Sequence, residues 1–320
     1  MKISSIVDIT GGKLLATPAI SFTTQTHTNI KKVSDGDLFI SSNLQEIKEA
    51  IKKGAFGIIF DFDVDITQLD NEIAWIRVDD INRAITKLLR FKLANMKLKS
   101  YAVDFIAYEF LSVLGGNQKN IYFLNEIFPS FEVLQDIEDS DILISTNHTF
   151  LKNIYPKSKT LQIENMKFEN LLIHSIFETS FLFEEEYFYK LRIPYIYLGH
   201  LLSIKKVFNL EVLDTGKLKN CSFMQPIFIN KQNQIVEYGK SNKFILTAQN
   251  DAISKIEFDF INIIFKYGKT ILFDCLNKSD DEIFNFITQN SSNCIYFTNQ
   301  TNEKIITILK TNEIKEKTLF

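Results

Sequence analysis

Several groups of side chains in this chain carry the means for chemistry. A polar run, Thr23-Thr24-Gln25-Thr26-His27-Thr28-Asn29, is followed by Lys31 and Lys32 and then by Gly36-Asp37. Hydroxyls, amides and cations gathered in one loop are suited to gripping an anion, with Lys31 as a point charge. The alternative is that Lys31 and Lys32 form a solvated turn. His148 follows an apolar run and reads either as a metal or phosphate contact or as a hydrogen-bonded loop residue. Glu184-Glu185-Glu186 offers three adjacent carboxylates, which suit a cation or act as a charged edge that blocks strand addition. Cys221, Cys275 and Cys294 are few, odd in number and unevenly spaced. They argue against a disulfide framework and against a Cys-x-x-Cys metal site, and read as reduced core thiols.

Composition sets limits on all of these. With 320 residues, 45% of them hydrophobic, the chain can bury substantial cores and divides naturally into two or three units. A net charge of -3 supplies no positive field for nucleic acid. The 29 phenylalanines stand in a background rich in Ile, Lys and Asn, and read as compositional bias before they read as binding surfaces. The first residues, MKISSIVDITGGKLLA, lack the continuous apolar stretch of a signal peptide. No run of about 18 apolar residues occurs, so a cytoplasmic protein without membrane insertion is expected.

The elements that would position these groups read as α/β throughout. The turn after Thr28 leads to a strand at Asp37–Ile40 and a helix at Leu44–Lys53, where Leu44, Ile47 and Ile51 share helical spacing and Gly54 suits a C-cap. Strands at Phe56–Phe60 and Ile73–Val78 and a helix from Asp79 complete a unit, preceded by a strand or short helix at Ile3–Ile9 and a strand at Ile20–Thr24. Beyond Lys97 come strands at Ser100–Val103, Ile121–Leu124, Asp141–Ser145 and Thr160–Ile163. Helices lie between them from Phe105 to Gly115-Gly116, around Phe131–Ile137 and around Phe150–Ile154, which suits a parallel sheet covered by helices. A hairpin is expected between Phe168 and Tyr189 with the three glutamates at its turn or edge. Helices at Ile253–Phe265 and Asp280–Gln289 then alternate with strands at Thr270–Phe273 and Asn293–Phe297. The fold class is therefore α/β, in three small α/β domains: 1–97, 98–217 and 218–320.

Short motifs in this order resemble the Mur ligases, the ATP-dependent amino-acid-adding enzymes of peptidoglycan precursor synthesis, most of all their D-alanyl-D-alanine-adding branch. The matching stretches are Thr28-Asn29-Ile30-Lys31, Gly36-Asp37-Leu38-Phe39, Glu49-Ala50-Ile51-Lys52-Lys53-Gly54-Ala55 and Val78-Asp79. A further strong match is Ile193-Pro194-Tyr195-Ile196-Tyr197-Leu198-Gly199-His200, whose counterpart in the family is a strand running into a Gly-x-His stretch before a helix, and a weaker echo is the strand running into Thr146-Asn147-His148. The resemblance implies a UDP-sugar at Thr28, Asn29, Lys31, Gly36 and Asp37, remnants of a nucleotide site at Asp104, Asn147, His200 and Asp251, and a loop at Leu246–Ala252.

The departures bear on the chemistry. Ile30 and Lys31 stand where the family has Ser and Arg. No glycine, lysine or threonine lies between Val103 and Leu111, where the family has Gly-Thr-Asn-Gly-Lys-Thr-Thr to wrap phosphates and hold Mg²⁺. Leu201 and Ile204 replace two asparagines that contact nucleotide, and neither glycine nor arginine follows Pro226 as the family's turn requires. The expectation is a shortened, catalytically inactive Mur-like protein with no catalytic residues, no metal and no cofactor. Its partners would be peptidoglycan-synthesis proteins or a UDP-MurNAc-peptide. The alternative is an active ligase of the D-alanyl-D-alanine-adding kind, using ATP and Mg²⁺ at an atypical site.

Overall fold

The computed structural model describes residues 1–16, 18, 20–65, 70–115, 119–164, 166–208, 214–249, 251–266 and 268–317, with 251, 252 and 313–317 described in backbone only. Two compact units divide the chain: Met1–Tyr108 with Gly115–Gln162, and Glu109–Leu114 with Ile163–Phe320. The boundary expected at Lys97 falls inside the first unit.

The first unit opens with α1 (Ile3–Thr10), which buries Ile3, Ile6 and Thr10 and ends at Gly11 in the left-handed conformation, φ 73°. Then come β1 (Lys13–Leu14), β2 (Thr26–His27), β3 (Leu38–Ile40), α2 (Leu44–Lys52), β4 (Gly57–Phe60), β5 (Ala74–Arg77) and α3 (Ile81–Leu93). The strands form a sheet in the order β1-β5-β4-β3-β2, parallel except for β1. Asn43 and Asp80 start the two helices by accepting the N–H groups of Gln45 and Arg83, each at 2.9 Å. After α2 the chain turns at Gly54, φ +88°, where a Cβ would come within 2.4 Å of Asp35 Oδ1, so only glycine fits.

The chain continues with β6 (Lys99–Ala102), α4 (Phe105–Gly115), of which Glu109–Leu114 count with the second unit, and then, in the first unit, β7 (Ile121–Phe123), α5 (Ile127–Val133), β8 (Ile142–Ser145), α6 (His148–Ile154) and β9 (Lys159–Thr160). These strands make a second, wholly parallel sheet in the order β7-β8-β6-β9. The first strand, β6, thus lies between the third and the fourth, which makes its carboxyl end the point where strand order reverses and where ligands of open α/β sheets are held. Helix α3 packs against α1, α5 and α6, and one apolar cluster runs from Ile3 and Leu38 through Ile85 and Leu89 to Phe131, Leu151 and Ile154. The two sheets of this unit therefore share a core.

The second unit holds a three-stranded antiparallel sheet, β10 (Glu169–Ser175), β11 (Glu178–Phe183) and β12 (Glu186–Leu191), followed by α7 (Leu198–Val207). Its remaining elements are β13 (Ile227–Ile229), β14 (Lys243–Ala248), α8 (Asp251–Ile264), β15 (Thr270–Asp274), α9 (Asp280–Gln289), β16 (Cys294–Thr298) and α10 (Asn302–Lys317). The sheet order is β13-β14-β16-β15, with β13 antiparallel to the rest. Ser279 and Glu282 cap α9 reciprocally.

Several local expectations are corrected. The segment Ile20–Thr24 is not a ladder strand: Ile3 and Thr23 exchange backbone bonds with Ser21 and Met1 across one bridge, and the strand is β2. Helix α5 begins at Ile127, four residues before the expected Phe131, because Pro129 is tolerated in a first helical turn, where its missing N–H has no partner. The region after Ile193 is a 3-10 turn at Tyr195–Tyr197 rather than a strand, and Leu246–Ala248 end β14 rather than form a loop. The hairpin gains a third strand. Glu184 and Glu185 form its second turn, both at positive φ, 49° and 66°, the hand that matches strand twist. Leu44 is exposed, so Ile47 and Ala50 bury α2 instead.

Candidate functional site

The loop from Thr23 to Asp37 is built around two buried carboxylates. Asp37, 3% exposed, accepts from Thr24 Oγ1, from Gln25 N at 3.0 Å and from Ser34 N at 2.9 Å. Burial works to raise its pKa, but these hydrogen bonds outweigh it and hold the carboxyl below its usual range. Gly36 takes φ +85° beside it and donates its N–H to Gly54 O at 2.8 Å. The Gly36-Asp37 pair thereby holds the shape of the turn.

The second carboxylate comes from α5. Glu132, 8% exposed, uses Oε1 to accept the N–H groups of both Thr28 and Asn29, the latter at 3.0 Å, and stands 3.1 Å from Thr28 Oγ1. Its Oε2 lies 3.1 Å from Lys32 Nζ. His27 stands between the two acids, with Nε2 3.6 Å from Asp37 and Nδ1 3.5 Å from Glu132. Burial pushes Glu132 upward, but the bonds from Thr28, Lys32 and Asn29 prevail and hold it ionised below the usual carboxylate range. Two backbone N–H groups, a hydroxyl and an ammonium converging on one point make an anion cradle, and here the anion is a side chain of the same polypeptide. Lys31 is exposed, and its N–H donates to Asn29 Oδ1 at 3.0 Å.

At the switch point the chain turns directly from strand to helix. Val103 and Asp104 alone separate β6 from α4; Val103 N still donates to Ser145 O at 3.0 Å, and Asp104 Oδ1 already accepts Ala107 N at 2.8 Å. A free N–H of the first turn of α4 is thereby taken up by a carboxylate. On the neighbouring strand, Asn147 caps α6 by accepting Phe150 N at 2.9 Å. The pairing of Ala102 with Ser145 brings Asp104 and Asn147 to the same edge of the sheet. His148 Nε2 lies 3.3 Å from Thr160 Oγ1.

His200 and Asp251 belong to the second unit. His200 is half-buried on α7, its ring edge-on to Tyr197. Asp251 opens α8, and its side chain lies outside the described part. Leu201 and Ile204, at the family's asparagine positions, are fully buried, which accounts for their apolar character. Among the described residues no group of three or more His, Cys, Asp or Glu could hold a metal ion, and no helix is long and apolar enough to cross a membrane. The three cysteines are free and buried; burial pushes the Cys221 and Cys275 thiols up to about 12, which keeps them unreactive.

Two acids escaped the sequence reading. Glu132 sits a hundred residues or more from its partners, and its one local signal is an acid set among apolar Phe131, Val133 and Leu134. Glu257, 1% exposed on α8, accepts from Tyr197 Oη at 2.5 Å and from Tyr296 Oη. Burial raises its pKa to about 7 against the opposing effect of the two tyrosines.

No protein-family model matches the sequence, and no curated protein matches it. Solved structures do match in fold. The MurF ligase of Thermotoga maritima, determined in complex with ADP, aligns over 92% of this chain and 99% of its own with 13% identity and a TM-score of 0.51. MurF from Acinetobacter baumannii aligns over 97% of this chain and 98% of its own with 9% identity and a TM-score of 0.53. Over nearly all of its length, then, the chain has a Mur-ligase-like α/β fold.

Proposed function

We propose that this chain is a Mur-ligase-like protein without ligase catalysis, which serves peptidoglycan precursor synthesis through a protein partner or through weak binding of a UDP-sugar. The reading is carried by one observation: Glu132 fills the cradle at Thr28 and Asn29, and Asp104 caps the helix at the switch point, so carboxylates of the chain stand at both anion positions. A triphosphate brought to the start of α4 would meet Asp104 where a ligase of this fold presents glycine N–H groups and a lysine. Two like charges about 4 Å apart at an effective dielectric near 20 repel by about 4 kcal/mol, roughly a thousandfold in affinity. The residues present do not fit ATP and Mg²⁺.

A UDP-sugar at Thr28 to Gly36 has to displace or share the donors that Glu132 holds. Its binding is therefore weak, in the high micromolar to millimolar range. The test is an NMR titration of the full chain with a UDP-MurNAc-peptide, for wild type and for Glu132→Gln. Weak shifts confined to Thr28–Gly36, strengthened by the substitution, are expected. Submicromolar binding by the wild type would contradict the reading, and amide-bond formation with release of ADP would establish an active ligase instead.

A further inference from the structure

The second unit contains a cleft of about 640 Å³ that the reading above does not use. That volume lies in the range of small-molecule sites. Its walls come from the end of β10 with its turn into β11, from β13, from β14 and the loop before it, from the end of α8, and from Asn293 just before β16. Phe177, Phe228, Tyr238, Phe244 and Phe265 supply an aromatic lining in which Phe177 meets Phe244 edge to face at 5.2 Å and Phe228 meets Tyr238 likewise at 5.2 Å. Rings fixed in this way offer faces and edges to another ring without further ordering. Arg192 covers Tyr238 from 4.0 Å but does not line the cleft. Glu178, whose carboxylate is hydrogen-bonded to the Tyr238 hydroxyl, is the one acid among those that do, and His174, with Nε2 2.7 Å from Ser180 Oγ, lines the cleft as well.

These features select an occupant. A phosphate or carboxylate ligand would find no lysine or arginine in the lining and would meet Glu178, whereas an ammonium gains a charge-assisted partner and aromatic neighbours. An added strand is disfavoured because register irregularities interrupt β10 twice, between Glu169 and Leu172 and between Ile173 and Ser175, and such bulges spoil an edge as a template. We propose that the cleft binds a small aromatic ammonium compound, with its ring among the phenylalanines and its cation against Glu178. This site is independent of the Thr28–Asp37 loop, so its fate and that of the functional reading are separable.

The test uses two probes that share a ring and differ in charge, tryptamine and indole-3-propionate, titrated into the full chain by calorimetry. Tryptamine is expected to bind saturably, and indole-3-propionate at least about tenfold more weakly, as like charge rejects it. Glu178→Gln should bring the two within about threefold of one another by removing the charge that discriminates them. Asn242→Trp, at an exposed position on the rim, should weaken both by filling the entrance, with circular dichroism confirming the fold. Failure of the wild type to bind tryptamine at millimolar concentration would overturn the proposal. So would equal affinity for the two probes, or tryptamine binding that neither substitution alters.

Discussion

Replacing Glu132 by glutamine tests what the buried carboxylate does for the fold. The amide keeps one oxygen to accept from Thr28 and Asn29 but gives up the charge. Hydrogen bonds to charged groups contribute roughly 1.5–3 kcal/mol against roughly 0.5–1.5 for neutral ones. Two backbone bonds therefore weaken by about 1 kcal/mol each, and the Lys32 pair, whose ammonium is 49% exposed, adds only a few tenths. The expected loss at neutral pH is about 2 kcal/mol. Its pH dependence has a definite sign. The folded pKa of Glu132 lies below its unfolded value, so its contribution is present above the unfolded pKa and disappears as pH falls through the folded one. Urea denaturation of both proteins at neutral pH and at a pH well below the ordinary glutamate value of 4.5 should show a gap that persists down to that value and closes beneath it. A gap below about 0.5 kcal/mol at neutral pH, within the scatter of ordinary surface substitutions, would refute the reasoning.

Three further substitutions follow from the same geometry. Glu257 has a folded pKa of about 7 against an ordinary value of 4.5, so the stability it confers is greatest below the unfolded pKa and is lost as pH rises through the folded one. At about 1.36 kcal/mol per pH unit, Glu257→Gln should gain about 3 kcal/mol relative to wild type between pH 4.5 and 7; a pH-independent difference would sink this. Asp104→Ala removes the N-terminal cap of α4 and should lower stability by about 1 kcal/mol without creating ATP binding; calorimetry and denaturation read the two effects separately. Gly54→Ala forces a side chain into positive φ against Asp35 and should destabilise by at least about 1 kcal/mol, visible as a lowered melting temperature.

What could be read from the sequence was what neighbours along the chain decide. The β3–α2–β4 stretch carries its own punctuation, with Asn43 at a helix start and Gly54 at its end, and it folds as that punctuation says. The direct passage from strand to helix after Val103 was equally legible, because it is decided locally: Val103 and Asp104 alone separate β6 from α4. Glu132 was not legible, since its donors lie at Thr28, Asn29 and Lys32 and only the packing of α5 brings them together. Glu257 was hidden for the same reason: its tyrosines come from the turn before α7 and from β16. Helix α10 was not read from the sequence; its buried apolar residues, Ile305, Ile308 and Leu309, are followed by a mostly polar run. Thr28, Asn29, Gly36 and Asp37 were read together because the polar run is contiguous, whereas Glu132, which accepts from Thr28 and Asn29, was not read with them.

The claim that the switch point is closed to nucleotide is tested most directly by calorimetry of the full chain with Mg-ATP. The account predicts no saturable binding at millimolar nucleotide, because Asp104 occupies the start of α4 and no lysine or glycine stands between Val103 and Leu111. Micromolar binding of Mg-ATP, abolished by altering the residues from Asp104 to Tyr108, would contradict it.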